Sequence, residues 1–203
     1  MKFSYGAYPI SINVKGSSIM AELFWQFLIY SFLGFLLEVV FARVTHSNKQ
    51  DRKCMILLPL CPVYGLGALA IVHLPATVQR NPLWLFLLGA LAATVVEYVM
   101  DWFYETTLGV RFWDYSELPW NLNGRVSLLF SGFWGLLAIS LVTWVHPTVM
   151  RLISAIPAGW FLPVLLLFLT DGILSVWTLR ATGTTDSLRW YDRFHATKKK
   201  TDG

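Results

Sequence analysis

LFWQFLIYSFLGFLLEVVFA, residues 23–42, holds a single charge, Glu38, in twenty positions. A helix of that length rises about 30 Å, the thickness of a bilayer's hydrocarbon core. Four further stretches read the same way. Residues 56–74 and 127–146 contain no Asp, Glu, Lys or Arg, residues 83–104 contain Glu97 and then Asp101, and residues 159–179 contain Asp171. The sequence therefore predicts an all-α, polytopic transmembrane helical bundle of about five spans. Residues 1–22 form an N-terminal tail, 23–180 one transmembrane domain, and 181–203 a basic tail. Composition agrees with a bilayer as solvent. Of 203 residues, 56% are hydrophobic and 14% charged, against about 25% charged in soluble domains. Ten tryptophans suit a chain that meets the membrane interface repeatedly.

Several function classes are excluded. The longest expected connection, residues 102–126, has 25 residues, short of the roughly 40 that fold alone. No soluble catalytic domain fits. The first twenty residues lack the 7–15-residue apolar run of a signal peptide, and Met20 is a possible start as well as Met1. Walker A, GxGxxG and nucleophile-elbow patterns are absent. His46, His73, His146 and His195 lie far apart, and Cys54 and Cys61 form neither CxxC nor a zinc spacing. They read as two thiols, with no metal and no cofactor expected. His73 and His146 read as plain interfacial side chains.

The basic residues are clustered. Arg43, Lys49, Arg52 and Lys53 follow the first span, Arg111 and Arg125 the third, and Arg180, Arg189, Arg193, Lys198, Lys199 and Lys200 the fifth. Only Lys2, Lys15, Arg80 and Arg151 fall on the other side. The positive-inside rule then puts the N-terminus outside and the C-terminus in the cytoplasm of an inner-membrane protein. The terminal lysines suit anionic lipid. Nothing in the pattern suits nucleic acid.

Charge inside a span costs about 2.5–3.5 kcal/mol on insertion scales, so it marks candidate sites. Glu97, Asp101 and Glu105 are spaced i, i+4, i+8 and share one helix face. Like charges at that spacing repel, so the stripe needs protons, cations or arginines, with Arg43, Arg111 and Arg125 as candidates. Two readings are open: structural salt bridges, or a cytoplasm-facing cavity lined by Glu38, Glu97, Asp101, Glu105, Asp171 and Arg125. Asp171 beside Gly172 also suits a hydrogen bond to a neighbouring helix.

Residues 58–67, LPLCPVYGLG, put Pro59, Pro62, Gly65 and Gly67 into the second stretch. Proline removes a helical hydrogen bond and clashes with the preceding turn. The stretch is either a broken span facing the bundle interior, or a loop leading into a helix with Pro62 in its first turn. Residues 109–125 are rich in aromatics, with turn formers at Asp114-Tyr115-Ser116 and Asn123-Gly124. Trp113 and Trp120 suit a loop lying on the inner membrane surface or dipping into it, with gating as the sharper reading.

FLIYSFLG (27–34) with Glu38, PLCPVYG (59–65), Glu97-Tyr98 with Glu105, WDYS (113–116) and residues 121–125 with the following LFSGFWG (129–135) together resemble the bacterial ABC-transporter type IV (CmpB-like permease) family. The resemblance runs over residues 23–140 and is most specific at 113–134. It implies a transport permease of a plasma membrane. With no ATPase motif in the chain, it also implies a separate ATPase subunit, and five spans suggest a homo-oligomer. The expectation is a permease that moves or binds a small cationic or protonatable solute at the buried carboxylates, with Pro59, Pro62, Gly65, Trp113, Asp114 and Asn123 shaping or gating the path. The rivals are a membrane enzyme acting on lipid or isoprenoid substrates and a non-catalytic scaffold or regulator. The missing metal pattern argues against the enzyme.

Overall fold

The structure is a computed structural model and describes residues 19–46 and 54–189. Four helices have the length and hydropathy to cross a bilayer. The first is α1, Ile19–Val44. The second is α4, Pro82–Phe103, which runs on through a π-helical turn at Tyr104–Leu108. The third joins α5, Leu128–Ser140, through a π turn at Leu141–Val145 to α6, His146–Ser154. The fourth is α7, Phe161–Thr182, led in by a 3-10 turn at Ala158–Trp160. Between α1 and α4 lie α2, Pro62–Val72, and the single turn α3, Ala76–Gln79.

The second expected span, residues 56–74, is helical over only part of its length. Its helix has only 11 residues, about 16 Å at 1.5 Å per residue and roughly half a hydrocarbon core. The reason is proline chemistry. Pro62 occupies the first turn, where its missing N–H costs nothing, and Cys61 caps the helix in extended conformation. Pro59 keeps the preceding residues out of a helix. Pro62 in the first turn matches the reading of a loop leading into a helix.

Side-chain neighbours give the chain's direction. Tyr64 lies against Gly34, and Ser31 and Phe27 against Gly65, so α2 runs back along α1. Gly67 faces Ala93 and Ile71 faces Gly89, so α4 again runs the way of α1. Ala138 sits on Gly89, and Thr94 Oγ1 donates to Ser131 Oγ at 2.8 Å, which makes α5 antiparallel to α4. Phe24 meets both Phe161 and Phe168 edge-on, and Arg180 reaches the Thr107 carbonyl, so α7 runs with α1 and α4. The chain makes five passages with four reversals of direction, and four of the passages are spanning-length helices. The main apolar core lies where α1, α2, α4, α5 and α6 meet, around Ile71, Leu85, Ala93 and Ala138. The apolar outer faces are open, as expected of helices whose solvent is lipid: Leu91, Leu136, Leu166 and Ile173 are all exposed.

A short hairpin closes the α4–α5 connection. Strand β1, Asn121–Leu122, pairs antiparallel with β2, Val126–Ser127. Asn123 and Gly124 both take positive φ, 56° and 68°, as a type I′ turn requires. The Arg125 N–H donates to the Leu122 carbonyl at 3.0 Å.

Candidate functional site

The hairpin and the residues before it fold against the ends of α1, α2, α4 and α5 and close a small cavity. Its wall takes Glu38 from α1, Val63 and Tyr64 from α2, Glu97 from α4 and Trp134 from α5. Phe112, Trp113 and Tyr115 come from the connection, and Cys54 and Cys61 from the segment before α2. The space open to a water-sized centre is about 20 Å³, room for one or two waters.

Glu97 is buried. Tyr115 Oη donates to one carboxylate oxygen at 3.0 Å, and Trp134 Nε1–H donates to the other at 3.0 Å. Each oxygen keeps a further lone pair. Both donors are neutral, and among the described residues no ion pair involves Glu97. Glu38, half-buried, accepts from Tyr64 Oη at 2.7 Å. Tyr64 in turn packs on Trp134, ring centroids 5.0 Å apart, and Tyr115 stacks on Phe130 at 4.6 Å. The two carboxylates thus face one cavity through an aromatic frame.

One helical turn on, the chemistry changes. Asp101 is fully buried and carries two guanidinium groups: Arg125 Nη1 lies 2.6 Å and Arg111 Nε 3.4 Å from its Oδ2. Arg125 also grips Glu105, whose side chain is exposed to solvent. These carboxylates hold the Arg125 guanidinium's pKa above its ordinary value, Glu105 contributing most. The arginine lies across the Tyr98 ring, 5.7 Å from its centroid, and the Trp113 indole N–H donates to its carbonyl at 2.9 Å. Asn123 Nδ2 donates to Tyr98 Oη at 3.0 Å. The acidic stripe is therefore split: Asp101 and Glu105 are neutralised by arginines, while Glu97 is met only by neutral donors.

Asp171 stands apart from this cluster. It is fully buried on α7, and its carboxylate accepts the backbone N–H of Leu57 at 3.0 Å and of Leu58 at 2.7 Å. Ser175 Oγ accepts the N–H of Ile56 at 3.0 Å. Non-helical backbone at membrane depth must find partners inside the protein, and these two side chains supply them. Pro59 sits in that segment, and Gly65 lets α2 approach Ser31 and Phe27.

In the loop, Asp114 accepts from the Ser116 hydroxyl at 2.6 Å and the Ser116 N–H at 3.0 Å, and those hydrogen bonds hold its pKa below the ordinary aspartate range. Trp113 forms part of the cavity wall, whereas Trp120 is 83% exposed. Sequence reasoning missed Tyr115, Tyr64 and Trp134 as partners of the carboxylates, although all three lie in the quoted motifs. It also missed that Cys54 and Cys61 meet. His146 bonds Tyr30, Nδ1 to Oη 2.6 Å, where the sequence suggested a plain interfacial side chain. Among the described residues no group of three or more His, Cys, Asp or Glu could hold a metal ion. Lys49, Arg52, Lys53, Arg193 and the terminal lysines lie outside the described residues.

No curated protein and no solved structure matches the chain. A family model does match, over residues 25–176, reaching past the resembling stretch through most of α7. The chain is a membrane protein that belongs to the family described as "Putative ABC-transporter type IV".

Proposed function

We propose that the chain is a permease subunit that binds a small cation, or a protonatable solute in its charged form, between Glu38 and Glu97. The observation that carries this reading is the contrast on α4. Asp101 has two guanidiniums, yet Glu97, buried and only one turn away, has a tyrosine, a tryptophan and a cavity. A buried carboxylate without a countercharge favours a cation or a proton beside it. The aromatic frame adds to this, because ring faces attract cations. The cavity limits the solute to a few heavy atoms: a proton, an alkali ion, ammonium or methylammonium.

An ATP-hydrolysing partner, an oligomer and an inner-membrane orientation with the C-terminus in the cytoplasm belong to the same reading, supported by the family and the distribution of basic residues. A scaffold is the second reading. The closed Asp101–Arg111–Arg125–Glu105 cluster favours it, since it fixes α4 to the loop without needing a ligand.

The test is thermal unfolding of the purified protein in ammonium, methylammonium, sodium or potassium chloride, with choline chloride as the oversized control. A ligand that binds only the folded state stabilises it by about 2.7 kcal/mol at a hundred times its Kd. One of the small cations should raise the midpoint above the choline value, and Glu97→Gln should remove that rise. Equal midpoints in all five salts, or an unchanged rise in Glu97→Gln, would overturn the reading.

A further inference from the structure

Cys54 and Cys61 both lie in the non-helical stretch that leads into α2. Cys54 Sγ and Cys61 Sγ lie 3.2 Å apart, both side chains are buried, and both face the cavity. The arrangement is held from several sides. The Cys61 N–H donates to the Ser31 carbonyl at 3.0 Å, and the backbone between the thiols is pinned by Asp171 and Ser175. A disulfide bond is about 2.05 Å long, so bonding needs the sulfurs to close by about 1 Å.

We propose that Cys54 and Cys61 are a redox-active dithiol, oxidised reversibly to an internal disulfide by a small peroxide that enters the cavity. The cavity has room for one or two waters, and hydrogen peroxide is two oxygen atoms with their protons. One cysteine, as thiolate, attacks a peroxide oxygen. The O–O bond breaks, the leaving hydroxide takes up the proton lost by that thiol, and water and a sulfenic acid result. The second thiol attacks the sulfenic sulfur, the S–S bond forms, the S–O bond breaks, and the hydroxide leaves with the second thiol's proton as another water. Two thiols and one peroxide give one disulfide and two waters. Dithiothreitol reverses the change by exchange. The disulfide ties the start of the segment to the cap of α2 and so alters one wall of the cavity beside Glu97.

This inference stands whether or not the cavity binds a cation. It is tested on the full-length, detergent-purified, pre-reduced protein treated with hydrogen peroxide, alkylated, digested and read by mass spectrometry. The expected result is joint loss of both thiols, a Cys54–Cys61 linked peptide lacking two hydrogens, and return of both thiols with dithiothreitol. Cys54→Ser and Cys61→Ser serve as controls that give no linked peptide. Two thiols that stay alkylatable in folded wild-type protein, or disulfides only between chains or only after unfolding, would overturn it.

Discussion

Asp101 and Asp171 are both fully buried aspartates on spanning-length helices, and they are satisfied in different ways. Asp101 is held by guanidinium groups, Asp171 by the backbone amides of Leu57 and Leu58. Asp171→Leu removes the acceptor while keeping an apolar side chain, and it leaves the amides of Leu57 and Leu58 without the partner they have in the fold. Each such group costs about 1–3 kcal/mol, so the unfolding midpoint in detergent should fall by several degrees, with Asp171→Asn between the two. A wild-type midpoint in Asp171→Leu would show that the segment does not depend on this carboxylate. Asp114 carries a pH dependence. Its pKa is depressed by Ser116, so its contribution to the loop is present above the ordinary aspartate value and is lost as pH falls through the lower folded value. A stability gap between wild type and Asp114→Ala is therefore expected at neutral pH, closing in acid. A gap that is constant with pH contradicts this. Glu38, Glu97, Asp101 and Asp171 were all legible as candidates in the sequence, because charge in an apolar run stands out. Their different environments were not, since each depends on groups from other elements: Arg111 and Arg125 reach Asp101 from a loop, and Trp134 reaches Glu97 from α5.

At the scale of elements, the informative piece is α2. Hydropathy alone marked residues 56–74 as one more span, because a run of Leu, Ile, Val and Ala looks the same whether or not prolines start its helix late. The two prolines and two glycines signalled irregularity, but not which way it resolved. That depended on Asp171 and Ser175, more than 110 residues away in sequence, being there to receive the amides. Close approach then fixes where α2 lies. A Cβ at Gly65 would run into the Ser31 side chain and the Phe27 carbonyl. Gly65→Val should cost about 1–3 kcal/mol through overpacking, seen as a lower midpoint. Gly132, which has open space around it, should tolerate the same change. Equal losses at the two positions would contradict the packing described. The π-helical turn at Tyr104–Leu108 is a further departure from regular geometry, and it carries Glu105 to Arg125. No periodicity in the sequence announced it.

For the whole molecule, the long apolar helices and the alternating chain direction were legible in composition and periodicity, because lipid demands satisfied backbone and apolar faces. The cavity was not, because it is built from five separate stretches that hydropathy treats independently. Its walls include Cys54 and Cys61, and these native thiols can report on it. The most direct measurement is the labelling rate of pre-reduced wild-type protein by a small, membrane-impermeant thiol reagent, in vesicles of each orientation, with and without the cation that raises the unfolding midpoint. The expected result is labelling from the face that carries the 109–125 loop and not from the other, slowed when the cation is bound and unslowed in Glu97→Gln. Thiols that react from neither face while the protein is folded, or that react at a rate no cation changes, would mean a dry, sealed cluster and would contradict a ligand-binding cavity.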